Sequence, residues 1–365
     1  MAALSTLPVL TAAKTKKVLA RKFVPDRSQR IRHVVQWLFV ALNAWIGLEF
    51  FLWARYFERG GQGIYVARPA GVEGWLPIAG LMNAKYWLVT GHVPLVHPAA
   101  MFLFLGFLLM SIFLKKAFCS WLCPVGTFSE TLWKLGRALF RRNFQLPKWA
   151  DIPLRGLKYV LLGLFVAVIG YMSAGMLEAF MQTPYGLVVD VKMMDFFRDM
   201  SMTAALVIAA LVLLSMLVQN FWCRYLCPYG ALMGLVSLLS PVKIRRDKDA
   251  CIECGKCARA CPANLNVDKL VQVRSVECNA CMACVAACSA QDALQLAMPM
   301  RQAATPAQRW QRRTLGPLAV AAVIAYLFFG AVLLAHVTNH WQTHLPRTVY
   351  MQLVPNANQL SHPGM

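Results

Sequence analysis

Residues 251–262 read Cys-Ile-Glu-Cys-Gly-Lys-Cys-Ala-Arg-Ala-Cys-Pro, and residues 278–289 read Cys-Asn-Ala-Cys-Met-Ala-Cys-Val-Ala-Ala-Cys-Ser. Both stretches space their cysteines C-x2-C-x2-C-x3-C. Three closely spaced thiolates bind three irons of one cubane, and the fourth cysteine of each run reaches across to the other cluster. That rule assigns Cys251, Cys254, Cys257 and Cys288 to one [4Fe–4S] cluster, and Cys278, Cys281, Cys284 and Cys261 to a second. Zinc ribbons use paired C-x2-C units instead of two runs of four. Pro262 follows the first run whereas Ser289 follows the second, a departure that removes no ligand. A ferredoxin-like α+β domain is expected over 243–300. Nothing around it resembles a substrate pocket, so it reads as a relay between clusters.

Outside this domain the composition changes character. Of 365 residues, 58% are hydrophobic and 15% charged, against about 45–50% and about 25% in soluble chains. The excess belongs in lipid. Five apolar stretches, at 33–54, 97–114, 157–176, 202–219 and 316–336, are long enough to cross roughly 30 Å of hydrocarbon. No small-residue cleavage site follows the first, so it reads as a retained anchor.

The net charge of +21 admits a nucleic-acid or a membrane partner, and its distribution decides between them. The N-terminal arm holds eight Lys and Arg (Lys14, Lys16, Lys17, Arg21, Lys22, Arg27, Arg30, Arg32), the loop 115–158 nine, and 220–315 thirteen. The alternate loops and the tail hold seven between them. Positive charge that flanks apolar spans on one side follows the positive-inside rule and is not a nucleic-acid surface. The expected organisation is a basic cytoplasmic arm (1–32), a four-helix membrane domain (33–242), the 2[4Fe–4S] domain (243–300), a basic linker with a fifth helix (301–336) and a periplasmic tail (337–365). The fold class is thus mainly α, a polytopic protein of a bacterial inner membrane with about five transmembrane helices and an inserted cytoplasmic domain.

Within the membrane domain a unit repeats. Cys119 and Cys123 lie in Phe-Cys-Ser-Trp-Leu-Cys-Pro-Val-Gly (118–126), and Cys223 and Cys227 in Trp-Cys-Arg-Tyr-Leu-Cys-Pro-Tyr-Gly (222–230). Each C-x-x-x-C-P ends an apolar stretch, in the same direction both times, as in parallel repeats that pack about the membrane normal. Spacing of i, i+4 puts each pair on one helical face, with the proline ending or kinking the helix. These four cysteines are candidates for a third metal or redox centre: iron–sulfur, a dithiol pair, or Cu(I), which soft thiolates favour. The plain alternative is small residues that pack well.

Other polar residues in apolar surroundings are weaker candidates. His92 and His97 precede the second stretch, and His336, His340 and His344 follow helical spacing off the fifth, positions suited to a metal, a b-type haem or a quinone headgroup. Glu49 is an intramembrane carboxylate, a functional candidate by default. The external loop 55–96, with Trp75, Tyr86 and Trp87, reads as a helix on the outer surface or as a lid over a quinone pocket. No C-x-x-C-H, dinucleotide fingerprint or Walker loop is present.

The combination of apolar spans, two C-x-x-x-C-P units and a double cluster motif resembles the NapH/NosR/CcoG group of membrane-bound polyferredoxins, in particular the ferredoxin-type proteins of the YccM kind. The likeness covers roughly 30–300, and Arg-Pro-Ala-Gly-Val-Glu-Gly at 68–74 also looks like members of the group. It implies electron transfer from quinol towards a partner redox protein or reductase complex, in the manner of a quinol dehydrogenase. The CcoG-like members point instead to copper reduction during enzyme assembly. A redox-sensing regulator is the third reading.

Overall fold

The computed structural model describes residues 26–298 and 314–362. Most of the basic arm and of the basic linker lies outside the described residues.

Helices Ser28–Glu58, Trp149–Tyr171 and Pro317–Val337 are long and apolar enough to cross a membrane. Helices Val189–Arg198 and Met202–Leu217, bent by 81°, make a fourth crossing if taken together. The outward faces of the long helices are apolar: Leu38, Trp45 and Leu48 on the first and Tyr326, Leu333 and Val337 on the last are all more than half exposed. Only lipid accommodates such continuous apolar surface on backbones whose hydrogen bonds are satisfied internally.

All five apolar stretches are helical, but two are shorter than a full crossing. Pro98–Leu114 has 17 residues, and 12 of them are buried. It is the central helix, packed between Pro77–Thr90 and Pro317–Val337. A helix sheathed in protein needs no lipid-facing length. Gly106 lets the last helix approach so closely that a Cβ there would sit 2.9 Å from Ala331 Cβ, the small-residue contact on which membrane helices rely. Helices Pro77–Thr90, Pro98–Leu114, Pro124–Phe140, Pro228–Val236 and Pro317–Val337 all begin on proline, whose missing N–H and fixed φ suit the first helical turn.

The bundle carries a polar layer at each end. At the end remote from the clusters, Arg68 donates from Nε and Nη2 to Asp190 Oδ2 (3.0 and 2.7 Å) and from Nη1 to Glu73 Oε1 (2.9 Å). Thr343 Oγ1 and the Ala100 amide donate to the same Glu73 carboxylate. Burial by itself would raise the Glu73 carboxyl, yet Arg68 and His97 hold it at about 2. The stretch 68–74 is therefore a clasp that joins two loops, the start of the central helix and the C-terminal segment. Lys85 Nζ caps the helix ending at Tyr171 through the carbonyls of Ile169, Gly170 and Met172.

Candidate iron–sulfur relay

Strand Lys243–Arg246 pairs antiparallel with strand Leu294–Ala297, Lys243 opposite Ala297. Both cysteine runs lie between these strands, and their backbones repeat. Glu253 and Gly255, two and four residues after Cys251, have φ of 57° and 68°; Ala280 and Met282, two and four after Cys278, have 49° and 57°. Left-handed backbone at non-glycine residues is uncommon and held only where the surroundings demand it. Each loop then enters a short helix, Lys256–Arg259 or Ala283–Ala287. The turns bring amide groups near sulfur, where they favour the thiolate: Ala258 at Cys257, Ala263 and Leu265 at Cys261, and Ala283 at Cys281.

Cys261 lies within electrostatic reach of Cys278, Cys281 and Cys284, and Cys257 of Cys288. Cys284 also lies within reach of Cys257, so the two sets adjoin. Among the described residues, no three His, Cys, Asp or Glu side chains converge as the ligands of a single ion do. A cubane carries its irons at separate corners, so its four thiolates stand wider apart. The donor set, its neighbouring amide groups and its spacing fit such a group.

The C-x-x-x-C-P units depart from the expected single helical face. Cys119 lies in the short helix Ala117–Trp121 and Cys223 in a single π-turn, Trp222–Leu226. Cys123 and Cys227 stand outside both, at φ/ψ of −53°/117° and −73°/105°, as N-caps of Pro124–Phe140 and Pro228–Val236. The ring of the following proline disfavours the helical region for its predecessor, and here each C–P dipeptide closes one helix and opens the next. At Cys227 the cap position gives sulfur a donor, for Gly230 N–H lies 3.2 Å from Cys227 Sγ, whereas the Cys123 side chain accepts no such capping bond. The N-terminal end of a helix dipole favours an anionic thiolate group there.

All four cysteines lie within electrostatic reach of one another. Burial pushes the Cys119 thiol up to about 11 and that of Cys123 to about 12. Each keeps some exposure, and all four line one cavity of about 620 Å³. Its wall includes the aromatic group Phe107, Phe118, Tyr229 and Phe328, with Phe107 stacked on Phe118 at 4.0 Å. Trp75 of the loop 55–96 also lines it, with Nε1 donating to Asn43; that loop forms a wall of the cavity, and its helix Pro77–Thr90 packs on the central helix. Arg224 lines it too. Its Nη2 binds Asp151, but Nε and Nη1 have no acceptor among the described residues, nor has Trp133 Nε1 on the same wall.

The same cavity touches Cys281, because the second cysteine loop is pressed onto the membrane domain. Ser120 Oγ donates to Asn279 O (2.5 Å), Trp121 Nε1 to Ala280 O (3.3 Å), Gln29 Nε2 to Cys281 O (2.8 Å) and Lys115 Nζ to Ser275 O (3.1 Å). Glu277 meets Lys158 at 2.6 Å, with Lys116 3.9 Å away. Burial would raise the Glu277 carboxyl, but Lys116 and Lys158 bring it below its ordinary value. Arg32 forms a two-pronged pair with Glu130 at 2.6 Å and also holds Ser120 O. No motif marks these charges: in the sequence Arg32, Lys116 and Lys158 are members of the positive-inside set, and their partners are remote.

The remaining candidates are not gathered here. His97 is buried in the clasp, its Nε2 on Gly186 O at 2.9 Å. The last helix ends at Val337, so His336, His340 and His344 lose their helical spacing; His336 stacks on Trp341 and His340 lies 6.5 Å from Phe102. Glu49 has no ion-pair partner among the described residues and lines no part of the cavity.

A family model described as "4Fe-4S binding domain" matches residues 96–147 and 200–247, each match enclosing one C-x-x-x-C-P unit. A second, "4Fe-4S dicluster domain", matches 243–289. YccM of Escherichia coli (strain K12) is 47% identical over 91% of both chains. The ferredoxin-type protein NapH of the same strain is 33% identical over 48% of this chain and 60% of its own, and the regulatory protein NosR of Pseudomonas aeruginosa 28% over 47% and 23%. No solved structure matches the chain. Cysteine runs, apolar helices and near end-to-end likeness agree: the chain belongs to the membrane polyferredoxin family of YccM and NapH and is an iron–sulfur electron-transfer protein.

Proposed function

We propose that the chain carries electrons between a quinol in the membrane and a partner redox protein through three iron–sulfur stations. One observation carries this reading: a single cavity is lined by Cys119, Cys123, Cys223, Cys227 and Cys281. The stations are the four membrane cysteines, then Cys278, Cys281, Cys284 and Cys261, then Cys251, Cys254, Cys257 and Cys288. Iron–sulfur groups bound there supply one-electron acceptance and release.

The surrounding residues suit an anionic centre at the four membrane cysteines. Lys116 and Lys158 both lie within electrostatic reach of Cys119 and Cys227, and Arg224 adds two uncommitted donors. The aromatic wall suits a planar quinol ring, and its hydroxyls find donors in Arg224 and Trp133. Quinol oxidation also releases protons. His33 lies 2.8 Å from Lys134 and 3.3 Å from Glu130 on the same wall and is 38% exposed, which gives protons a polar route to solvent.

This reading takes the five apolar stretches as five crossings, with the N-terminal side and the clusters cytoplasmic and the C-terminal segment outside, and two contacts at opposite ends of the bundle support it. The N-terminal turn of the first helix meets the cluster loop through Gln29. Residue 343, beyond the last helix, meets the clasp at the other end.

Anaerobic iron and sulfide quantitation with EPR tests the reading. About twelve irons are expected, falling to about eight when the four membrane cysteines are changed to Ser. The reading fails if the wild type already holds about eight. It also fails if quinol reduces the ferredoxin clusters of the four-Ser variant in liposomes at an unaltered rate.

A further inference from the structure

The two ferredoxin cysteine sets differ in exposure, although Cys257 of the first is buried. Cys278, Cys281 and Cys284 are buried, and the loop that carries them is tied to the membrane domain by the contacts of Ser120, Trp121, Gln29 and Lys115. Cys254 is exposed and Cys251 half-buried, and neither lines the cavity. Around Cys254 the surface is basic. The helix Lys256–Arg259 packs on the turn Val267–Lys269. Lys248, Lys256, Arg259 and Lys269 are exposed, against exposed Asp249 and Glu253 and half-buried Asp268 of opposite sign. Leu270 and Val271 stand 39% and 49% exposed beside them.

We propose that the Cys251, Cys254, Cys257 and Cys288 station is the terminal one, and that the basic face around Cys254 docks an acidic, soluble one-electron carrier protein. The proposal rests on the reading that the eight ferredoxin cysteines hold two clusters. Electron transfer falls steeply with distance, so the station whose cysteine reaches the surface is the one a soluble protein can reach. Each encounter moves one electron: the reduced cluster returns to its oxidised state, the carrier is reduced by one, and no bond is made or broken. Excess positive charge steers an acidic partner and raises its association rate.

The test uses the full-length protein in nanodiscs, chemically reduced and mixed in stopped flow with an acidic flavodoxin or a basic cytochrome c. At low salt the flavodoxin should exchange at least about tenfold faster than at about 0.5 M salt. The paired variant Lys256→Glu/Lys269→Glu should slow it by about the same factor, with cluster EPR unchanged. Arg137→Glu, on another exposed helix, should not. A carbodiimide, which joins carboxylates to amines, should link flavodoxin to Lys248, Lys256 or Lys269. The proposal is overturned if exchange is indifferent to salt, if the paired variant behaves as wild type, or if the links map elsewhere. Absence of any cluster EPR signal would instead overturn the reading beneath it.

Discussion

Glu277→Gln strands two lysines at the junction between the ferredoxin domain and the membrane helices. Lys158 is 0% exposed, with Nζ 2.6 and 2.8 Å from the carboxylate oxygens, and the Lys116 side chain is 7% exposed. Removing one partner of a buried pair costs about 3–5 kcal/mol, because the other charge is left unpaired. Glu277 keeps 11% exposure, which places this pair at the lower end, about 3 kcal/mol, or roughly 150-fold in the opening of the cluster loop. Amide hydrogen exchange over 275–281 should report that opening, since local unfolding sets exchange protection. Dithionite should still reduce the clusters normally, while quinol-driven reduction in liposomes should slow at least about tenfold. Lys158→Met should weaken the docking too. The double variant should recover much of the loss, since an apolar pair strands no charge; Lys116 then sets the residue. If the two single effects simply add, to within about 0.5 kcal/mol, or if quinol-driven reduction is unchanged, the ion pair does not hold the relay together.

The two repeats should respond differently to one methyl group. A Cβ at Gly126 would collide with Cys119 O, whereas at Gly230 its nearest contact is an ordinary 3.6 Å. Gly126→Ala should therefore lose iron from the membrane centre and Gly230→Ala retain it, as metal analysis would show. The Glu73 carboxyl, brought from 4.5 to about 2, contributes about 3 kcal/mol at neutral pH. Its depressed value means that this stability is present above about 4.5 and is lost as pH falls towards 2. Thermal unfolding in detergent should show that acid limb in the wild type, and Glu73→Gln should be destabilised at pH 7 with the limb flattened. Arg224→Gln removes a buried cation near Cys261. Positive charge favours the reduced cluster, so the variant's midpoint potential should fall, a tenfold change corresponding to about 59 mV; an EPR-monitored redox titration checks the direction.

The cluster cysteines, the apolar stretches and the charge bias are legible along the chain because each is a local property. Three of the four cysteines in each set are close neighbours along the chain, a lipid crossing must be continuous, and the arginines and lysines of the charge bias flank it. Proline at the first turn of the helices is local in the same way. The C–P dipeptides mark the limit of local reading. An i, i+4 spacing assumes an unbroken helix, and the steric demand of proline on its predecessor breaks it, so the cysteines come from a short turn and from the cap of the next helix. Tertiary structure alone decided which thiols share a cavity, which loop faces the membrane and which faces solvent. Arg32 finds Glu130 across 98 residues and Lys158 finds Glu277 across 119. Neither pairing leaves a periodic trace, because a buried charge is defined by what surrounds it, and those surroundings exist only once the helices have packed.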